Sequence, residues 1–216
     1  MSVPQSAFTL LQGIRALPVV AIEHVDDAVP LADALAEGGL PAIEVTLRTA
    51  AAFDAIAKLQ KERPKLLIGA GTITTGAQLK SCAALGVRFA ISPGLTPALL
   101  EIAHELKMPY LPGTATASDV MLGIQYGWSE FKFFPAEAAG GPAMLKSWAG
   151  PFPDTRFCPT GGITPQNAHF YLGLPGVVMV GSSWMLPAAA LKARDWAEIA
   201  RKSRVFTDTL AGITAC

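Results

Sequence analysis

A single lysine sits among three phenylalanines in Glu130-Phe131-Lys132-Phe133-Phe134-Pro135-Ala136, a stretch of strand composition that proline closes. Burying an ammonium in apolar surroundings disfavours its charged form, and a neutral amine condenses with a carbonyl carbon to give an imine. The mechanical alternative is a stem that covers apolar neighbours while its head reaches water from a strand end. The local residues leave both readings open. A second cluster bears on the choice. Along a strand over 42–48, successive side chains point to opposite faces, so Glu44, Thr46 and Arg48 share one face and Ile43, Val45 and Leu47 the other. The apolar face must meet a covering layer, which turns the glutamate and the arginine inward. A mutual Glu44–Arg48 ion pair would satisfy both buried charges. Beside an inward lysine, the three residues also divide the work of a 2-oxo-acid site. The guanidinium fork fits a carboxylate, the amine takes the ketone, and the glutamate moves protons.

The other reactive residue types say less. His24 follows the first apolar run, while His104 and His169 fall within or near helical segments. No two of them have metal-ligand spacing, which leaves carboxylates as the only candidate ligands for a divalent ion. The tryptophans 128, 148, 184 and 196 read as core or interface aromatics. Cys82, Cys158 and Cys216 show neither paired nor ligand spacing, which suits a reducing, cytoplasmic setting.

Seventeen basic and seventeen acidic residues cancel without forming a run of either sign, against a nucleic-acid surface. Half the chain is hydrophobic and only 16% is charged, so 216 residues can bury a substantial core. No apolar run reaches the ~18 residues that span a bilayer, and the N-terminus lacks the basic and apolar regions of a signal peptide.

The elements that position these groups follow from periodicity. Apolar strand candidates fall at 16–22, 42–48, 66–73, 88–92, 109–114, 130–134, 156–160 and 177–181. A short amphipathic helix over 5–14 precedes them, with Phe8, Leu11 and Ile14 at helical spacing. Helical segments separate them: from 26 to the stop at Gly38 and Gly39, then 50–62, 75–85, 96–107, 117–126, 141–149 and 165–172. A helix from about 193 to 211 closes the chain. Strands alternating with helices argue for βαβ units and a parallel sheet. Eight such units without a linker predict a (β/α)8 TIM barrel with a short extra N-terminal helix, one domain over residues 1–216. A doubly wound sheet is the alternative, but it usually carries a Gly-rich phosphate turn after the first strand, which 22–26 lacks.

Barrel active sites lie at the C-terminal strand ends. Here those ends are polar and glycine-rich: Glu44 to Arg48, Gly69 to Thr72, Ser92-Pro93-Gly94, Pro112-Gly113-Thr114, Pro159 to Gly162, and Gly181-Ser182-Ser183, with Lys132 on the sixth strand. The glycines after strands seven and eight fit a phosphate site built from loop amides; ordinary tight turns are the competing reading.

These motifs, in this order and spacing over nearly the whole length, resemble the class I 2-keto-3-deoxy-6-phosphogluconate (KDPG) and 4-hydroxy-2-oxoglutarate (KHG) aldolase family. The resemblance implies a homotrimer of barrels that cleaves a 2-oxo acid in the Entner–Doudoroff pathway, with a lysine imine and no metal or other cofactor. It implies Lys132 as the Schiff-base lysine and Glu44 as the general base. Arg48 and Thr72 would contact the substrate carboxylate end, Pro93 and Phe134 would shape the pocket, and Thr160 would assist recognition. The phosphate would lie on Gly161, Gly162, Gly181, Ser182 and Ser183. One departure is visible, because many members carry a second glycine where this chain has Ser182. Two rivals stand beside this reading. A phosphate-handling barrel isomerase or epimerase would share the glycine loops but needs no lysine in an aromatic strand. A non-catalytic barrel module would be expected to have lost one of the three charged residues, and none is missing.

Overall fold

A computed structural model describes residues 6–213. Residue 5, where the N-terminal helix was expected to begin, and Cys216 lie outside the described residues. Six parallel strands form one curled sheet in the order β5-β4-β3-β2-β1-β9: β1 (Ala16–Val20), β2 (Ala42–Thr46), β3 (Leu67–Gly71), β4 (Phe89–Ile91), β5 (Tyr110–Leu111) and β9 (Val180–Ser182). A second parallel sheet holds β6 (Gly113–Thr114), β7 (Glu130–Phe133) and β8 (Arg156–Pro159). The strands therefore do not run as the one continuous eight-stranded ladder that the sequence predicts. The expected strand over 109–114 is divided at Pro112, which has no N–H to give to a ladder. On one side the Ser92 amide donates to the Leu111 carbonyl at 3.3 Å; on the other the Lys132 amide donates to the Pro112 carbonyl at 3.0 Å. Isolated parallel bridges, Phe157 with Val177 and Thr160 with Gly181, join the second sheet to the far edge of the first.

Helices follow the strands: α2 (Ala28–Glu37), α3 (Ala52–Glu62), α4 (Gly76–Ala84), α5 (Pro97–Glu105), α6 (Ala117–Gln125), α7 (Gly141–Trp148) and α8 (Ala168–Leu172). Their starts are legible chemistry. The Thr75 and Thr116 hydroxyls accept from the amides of Gln78 and Asp119, whose side chains bond back in capping boxes. Two helices rather than one close the chain, α9 (Ala188–Ala193) and α10 (Trp196–Ala211). The break is at Arg194, with φ 54°, and the Asp195 carboxylate then caps α10 by accepting from the Glu198 amide. No helix among the described residues is long and apolar enough to cross a membrane.

Strand alternation sorts the core into two bodies. Ile43, Val45, Phe131, Phe133 and Phe157 pack outward against the helices, while Leu17, Ala42, Phe89, Leu111 and Cys158 pack inward. The expected N-terminal helix is a single turn, α1 (Ala7–Leu10), yet Phe8, Leu11 and Ile14 are all buried in the inner body. The turn is fixed by Glu130, whose carboxylate accepts from the Phe8 amide at 3.0 Å and the Ser6 hydroxyl at 2.6 Å and pairs with Arg156. Together these contacts cover part of the N-terminal end of the inner space.

Candidate active site

Glu44 and Lys132 meet in that interior. The Lys132 Nζ donates to Glu44 Oε1 at 3.2 Å, with the side chains 4% and 1% exposed. Register explains the meeting. Glu44 lies between Val19 and Gly69 in the first sheet, and Lys132 between Gly113 and Cys158 in the second. A buried pair of this kind is costly to desolvate, and removing one partner strands the other's charge, at about 3–5 kcal/mol. Gly71 makes room for it, since a Cβ there would overlap the Glu44 carboxylate. Nothing in the sequence reading singled out that role, although the glycine lies in a quoted motif.

The structure departs from the phenylalanine surroundings expected for Lys132 and from the inward direction expected for Arg48. Phe131 and Phe133 face the helices, the first tilted against Phe157 and the second edge-to-face with Trp148, so they do not surround the amine; inward and outward neighbours alternate along β7. Phe134 alone approaches it, its ring centroid 5.1 Å from Nζ in a cation–π arrangement. Nor does Glu44 pair with Arg48. β2 ends at Thr46, whose hydroxyl donates to the Val20 carbonyl at 2.9 Å, and Arg48 lies beyond the strand, exposed. Its Nε donates to Thr72 Oγ1 at 3.0 Å, and it pairs with no carboxylate among the described residues. Thr72 holds φ 59°, a left-handed conformation unusual for a β-branched residue and worth on the order of 1–3 kcal/mol of strain. In this conformation the Thr72 hydroxyl accepts from the Arg48 Nε–H.

Pro93, half-buried, sits in a loop that the sequence reading did not explain. Ser92 Oγ donates to the Gly94 carbonyl at 2.5 Å and lies 2.6 Å from the Tyr110 hydroxyl, and Gly113 packs on the Pro93 carbonyl where a Cβ would overlap it. Buried Ser92 and Tyr110 thus set the position of Pro93. Burial drives the Tyr110 phenol well above its ordinary pKa, against a smaller opposing effect of its bond to Ser92. Cys158, directly beside Lys132 in the register, is pushed up to about 12, mainly by burial. It is held as an inert thiol.

The residues after β8 and β9 come together as well. Gly181 stands where a Cβ would overlap Thr160 Oγ1, so the glycine admits the buried threonine side chain. Gly161 and Gly162 both have positive φ, 105° and 79°, which only glycine adopts in sequence without strain. Ser182 belongs to β9, and its hydroxyl is committed. It donates to the Ile163 carbonyl at 2.7 Å and accepts from the Trp184 amide at 3.1 Å, stitching the two loops together. Ser183 is exposed at the rim. Glu137, beneath Gly162, turns its carboxylate to the Tyr171 hydroxyl.

A buried amine against a carboxylate, an arginine with no carboxylate partner among the described residues, and a paired glycine loop can form an imine, orient an acid and receive an anion. Comparison with known proteins points the same way. The family model described as "Aldolase: KDPG and KHG aldolase" matches residues 9–202. The chain is 49% identical over 203 residues to a 2-dehydro-3-deoxy-phosphogluconate aldolase of Pseudomonas aeruginosa, covering 94% of this chain and 92% of that one. It is 48% identical over 199 residues to a KHG/KDPG aldolase of Escherichia coli K12, covering 92% and 93%. Among solved structures, it is similar to KDPG aldolase from Legionella pneumophila, captured with pyruvate as a covalent carbinolamine intermediate. That match has a TM-score of 0.87 and 46% identity, over 89% of this chain and 94% of the other. The Zymomonas mobilis aldolase with 3-phosphoglycerate matches with a TM-score of 0.88 and 42% identity, over 96% of each chain.

Proposed function

The chain belongs to the KDPG and KHG aldolase family, and from that premise we propose that it cleaves 2-dehydro-3-deoxy-6-phosphogluconate through an imine on Lys132. It is an aldehyde-lyase, and the products are pyruvate and glyceraldehyde 3-phosphate, as in the Entner–Doudoroff pathway. Cleavage of 4-hydroxy-2-oxoglutarate to pyruvate and glyoxylate is the second activity of the same site. The observation that carries the reading is the buried 3.2 Å contact between Lys132 Nζ and Glu44 Oε1.

The steps follow from that contact. Glu44 accepts a proton from the lysine, and the free amine attacks the substrate C2. Glu44 returns that proton to the carbinolamine hydroxyl, which leaves as water, so the imine forms protonated and the carboxylate is ionised again. Glu44, directly or through a water, then removes the C4 hydroxyl proton. The C3–C4 bond breaks, its electron pair moves to the iminium nitrogen as an enamine, and the aldehyde leaves. Protonation at C3 and hydrolysis release pyruvate and the lysine. The iminium is the electron sink, so the scheme calls for no metal or other cofactor. Arg48, held by Thr72, is assigned to the substrate carboxylate through its remaining donors. Pro93 and Phe134 are assigned to the walls around the imine, and Thr160 to substrate recognition. The amides of Gly161, Gly162, Gly181, Ser182 and Ser183 are assigned to the phosphate.

The phosphate assignment is best tested at Ser183. Gly162 would be a poor choice, because a side chain there meets both its positive φ and Glu137. Ser183 is exposed, so Ser183→Asp adds charge without repacking. Followed by coupled pyruvate reduction in excess EDTA, wild type should cleave both substrates. The variant should raise KM at least ~10-fold for the phosphorylated substrate, since close like charges repel by about 1–4 kcal/mol near a surface, and leave 4-hydroxy-2-oxoglutarate nearly unaffected. Equal effects on both would refute the phosphate assignment, and no pyruvate from either would refute the function.

We further read residues 1–216 as one domain whose two sheets close, through the Phe157 and Thr160 bridges and the shared strand 110–114, into the eight-stranded barrel expected from sequence. The free, buried Cys82 and Cys158 favour a cytoplasmic enzyme. A homotrimer is proposed on the family resemblance. Met121 and Ile124, 61% and 45% exposed on α6, offer apolar surface for such an interface. Sedimentation should then give three times the 22.6 kDa chain mass, and a monomer at micromolar concentration would reject the trimer.

A further inference from the structure

Arg15 lies just before β1, at the end of the strands opposite the candidate active site. Its Nε and Nη2 are buried and face no hydrogen-bond acceptor among the described residues. These two nitrogens make up one edge of the guanidinium, the edge that grips both oxygens of a carboxylate or two of a phosphate. The same edge of Arg63 grips Asp33, with both bonds at 2.6 Å. That of Arg201 grips Glu198 at 2.7 and 2.8 Å. Both of those pairs are largely exposed, where desolvation is cheap. The donors of Arg15 are buried, where an unmatched charged group is most costly.

The side chain lines a cavity of about 230 Å³ with Gly39, Leu40, Thr207, Leu210 and Ala211 among its other walls, and no Asp or Glu among them. That is space for roughly seven waters, or for a small organic acid or phosphate. The neighbouring groups do not answer the guanidinium. Thr207 spends its hydroxyl on the Gly38 carbonyl at 2.8 Å. The last turn of α10 borders the cavity, and its dipole favours a cation there, but it supplies no acceptor to the two nitrogens.

We propose that Arg15 and this cavity form a binding site for a small oxyanion, a carboxylate or a phosphate, at the N-terminal end of the strands and separate from the catalytic site. The ligand presents two oxygens to the Nε/Nη2 edge and packs its remaining atoms against Leu40 and Leu210. No covalent step is involved.

The test is thermal unfolding of the full chain in inorganic phosphate and, separately, in malonate, each against sodium chloride at matched ionic strength. Ligand that binds only the folded state should raise Tm by about 3–6 °C at ten times its Kd for a protein of this size. Ser183→Asp, altered at the other end of the barrel, should keep the rise. Arg15→Met, which retains the stem but not the donors, should lose it while cleaving substrate at the wild-type rate. Should that variant not fold, Arg15→Lys keeps the charge without the fork and should show a rise at least several-fold weaker. A rise in neither anion for wild type, or a full rise in either Arg15 variant, overturns the site. So does a rise that appears only once residues 214–216 are removed, since the edge would then belong to the chain itself.

Discussion

Lys132→Met should lose cleavage by on the order of 10⁴-fold or more, the scale seen when a covalent nucleophile is removed, and should lose all trapping by pyruvate and borohydride. Methionine keeps the length and flexibility of the lysine stem without the amine. The competing view is that Lys132 serves only as the buried counter-ion of Glu44, 3.2 Å away. That view also foresees damage, because stranding one member of a buried pair costs about 3–5 kcal/mol. Trapping separates the two. With wild type, borohydride in the presence of pyruvate should fix one reduced pyruvate on the peptide carrying Lys132. A counter-ion alone acquires nothing, and an adduct at the exposed Lys146 on α7 would move the nucleophile elsewhere. Thermal melting of the variant reports the stability loss separately, so a well-folded but inactive Lys132→Met isolates the chemistry from the packing.

The alternation in 42–48 was enough to orient Glu44 inward, because Ile43 and Val45 had to find the helices, and they do. The same rule applied to 130–134 would have turned Phe131 and Phe133 away from Lys132. Local composition places three phenylalanines around the lysine, and of these the structure leaves only Phe134 near the amine. Density of aromatics in sequence is not proximity in space when the period is two. Partner choice was harder to read. Arg48 lies past the end of β2, where the strand rule no longer fixes direction, so the Glu44–Arg48 pair considered from sequence gives way to Lys132 for one and Thr72 for the other. These are contacts between different strands, and no spacing within a motif encodes them.

The elements were legible to within a few residues, with informative exceptions. Pro112 breaks a strand that its apolar neighbours predict as continuous, since hydrophobicity carries no record of a missing N–H. The last strand lies at Val180–Ser182 rather than 177–181, because Val177 reaches the ladder only through one bridge. α9 was missed because six residues after Pro187 are too short to show a helical period. The supporting residues of the site were least visible. Gly71 is distinguished by what its absent Cβ would strike, and Tyr110 by a hydroxyl bond to Ser92 eighteen residues away.

Glu44→Gln should slow turnover by ~10²–10⁴-fold, the usual worth of a positioned acid–base group, while preserving the fold. Glutamine keeps the volume that Gly71 accommodates and can still accept a hydrogen bond from Lys132 through its carbonyl oxygen. It cannot carry a proton between the lysine, the C4 hydroxyl and C3. Because the carboxylate is assigned to more than one step, turnover alone does not identify its role, and the reverse half-reaction is more telling. An enzyme that forms the pyruvate enamine exchanges the pyruvate methyl protons with solvent, visible by proton NMR in D₂O. If Glu44 delivers that proton, the variant should still give the borohydride adduct at long times, yet exchange the methyl protons slower by a factor similar to its loss in kcat. Exchange at the wild-type rate with slow cleavage would restrict Glu44 to the C4 hydroxyl. Wild-type rates for both would reduce it to the partner that stabilises a buried lysine, and the base would have to be sought on another strand.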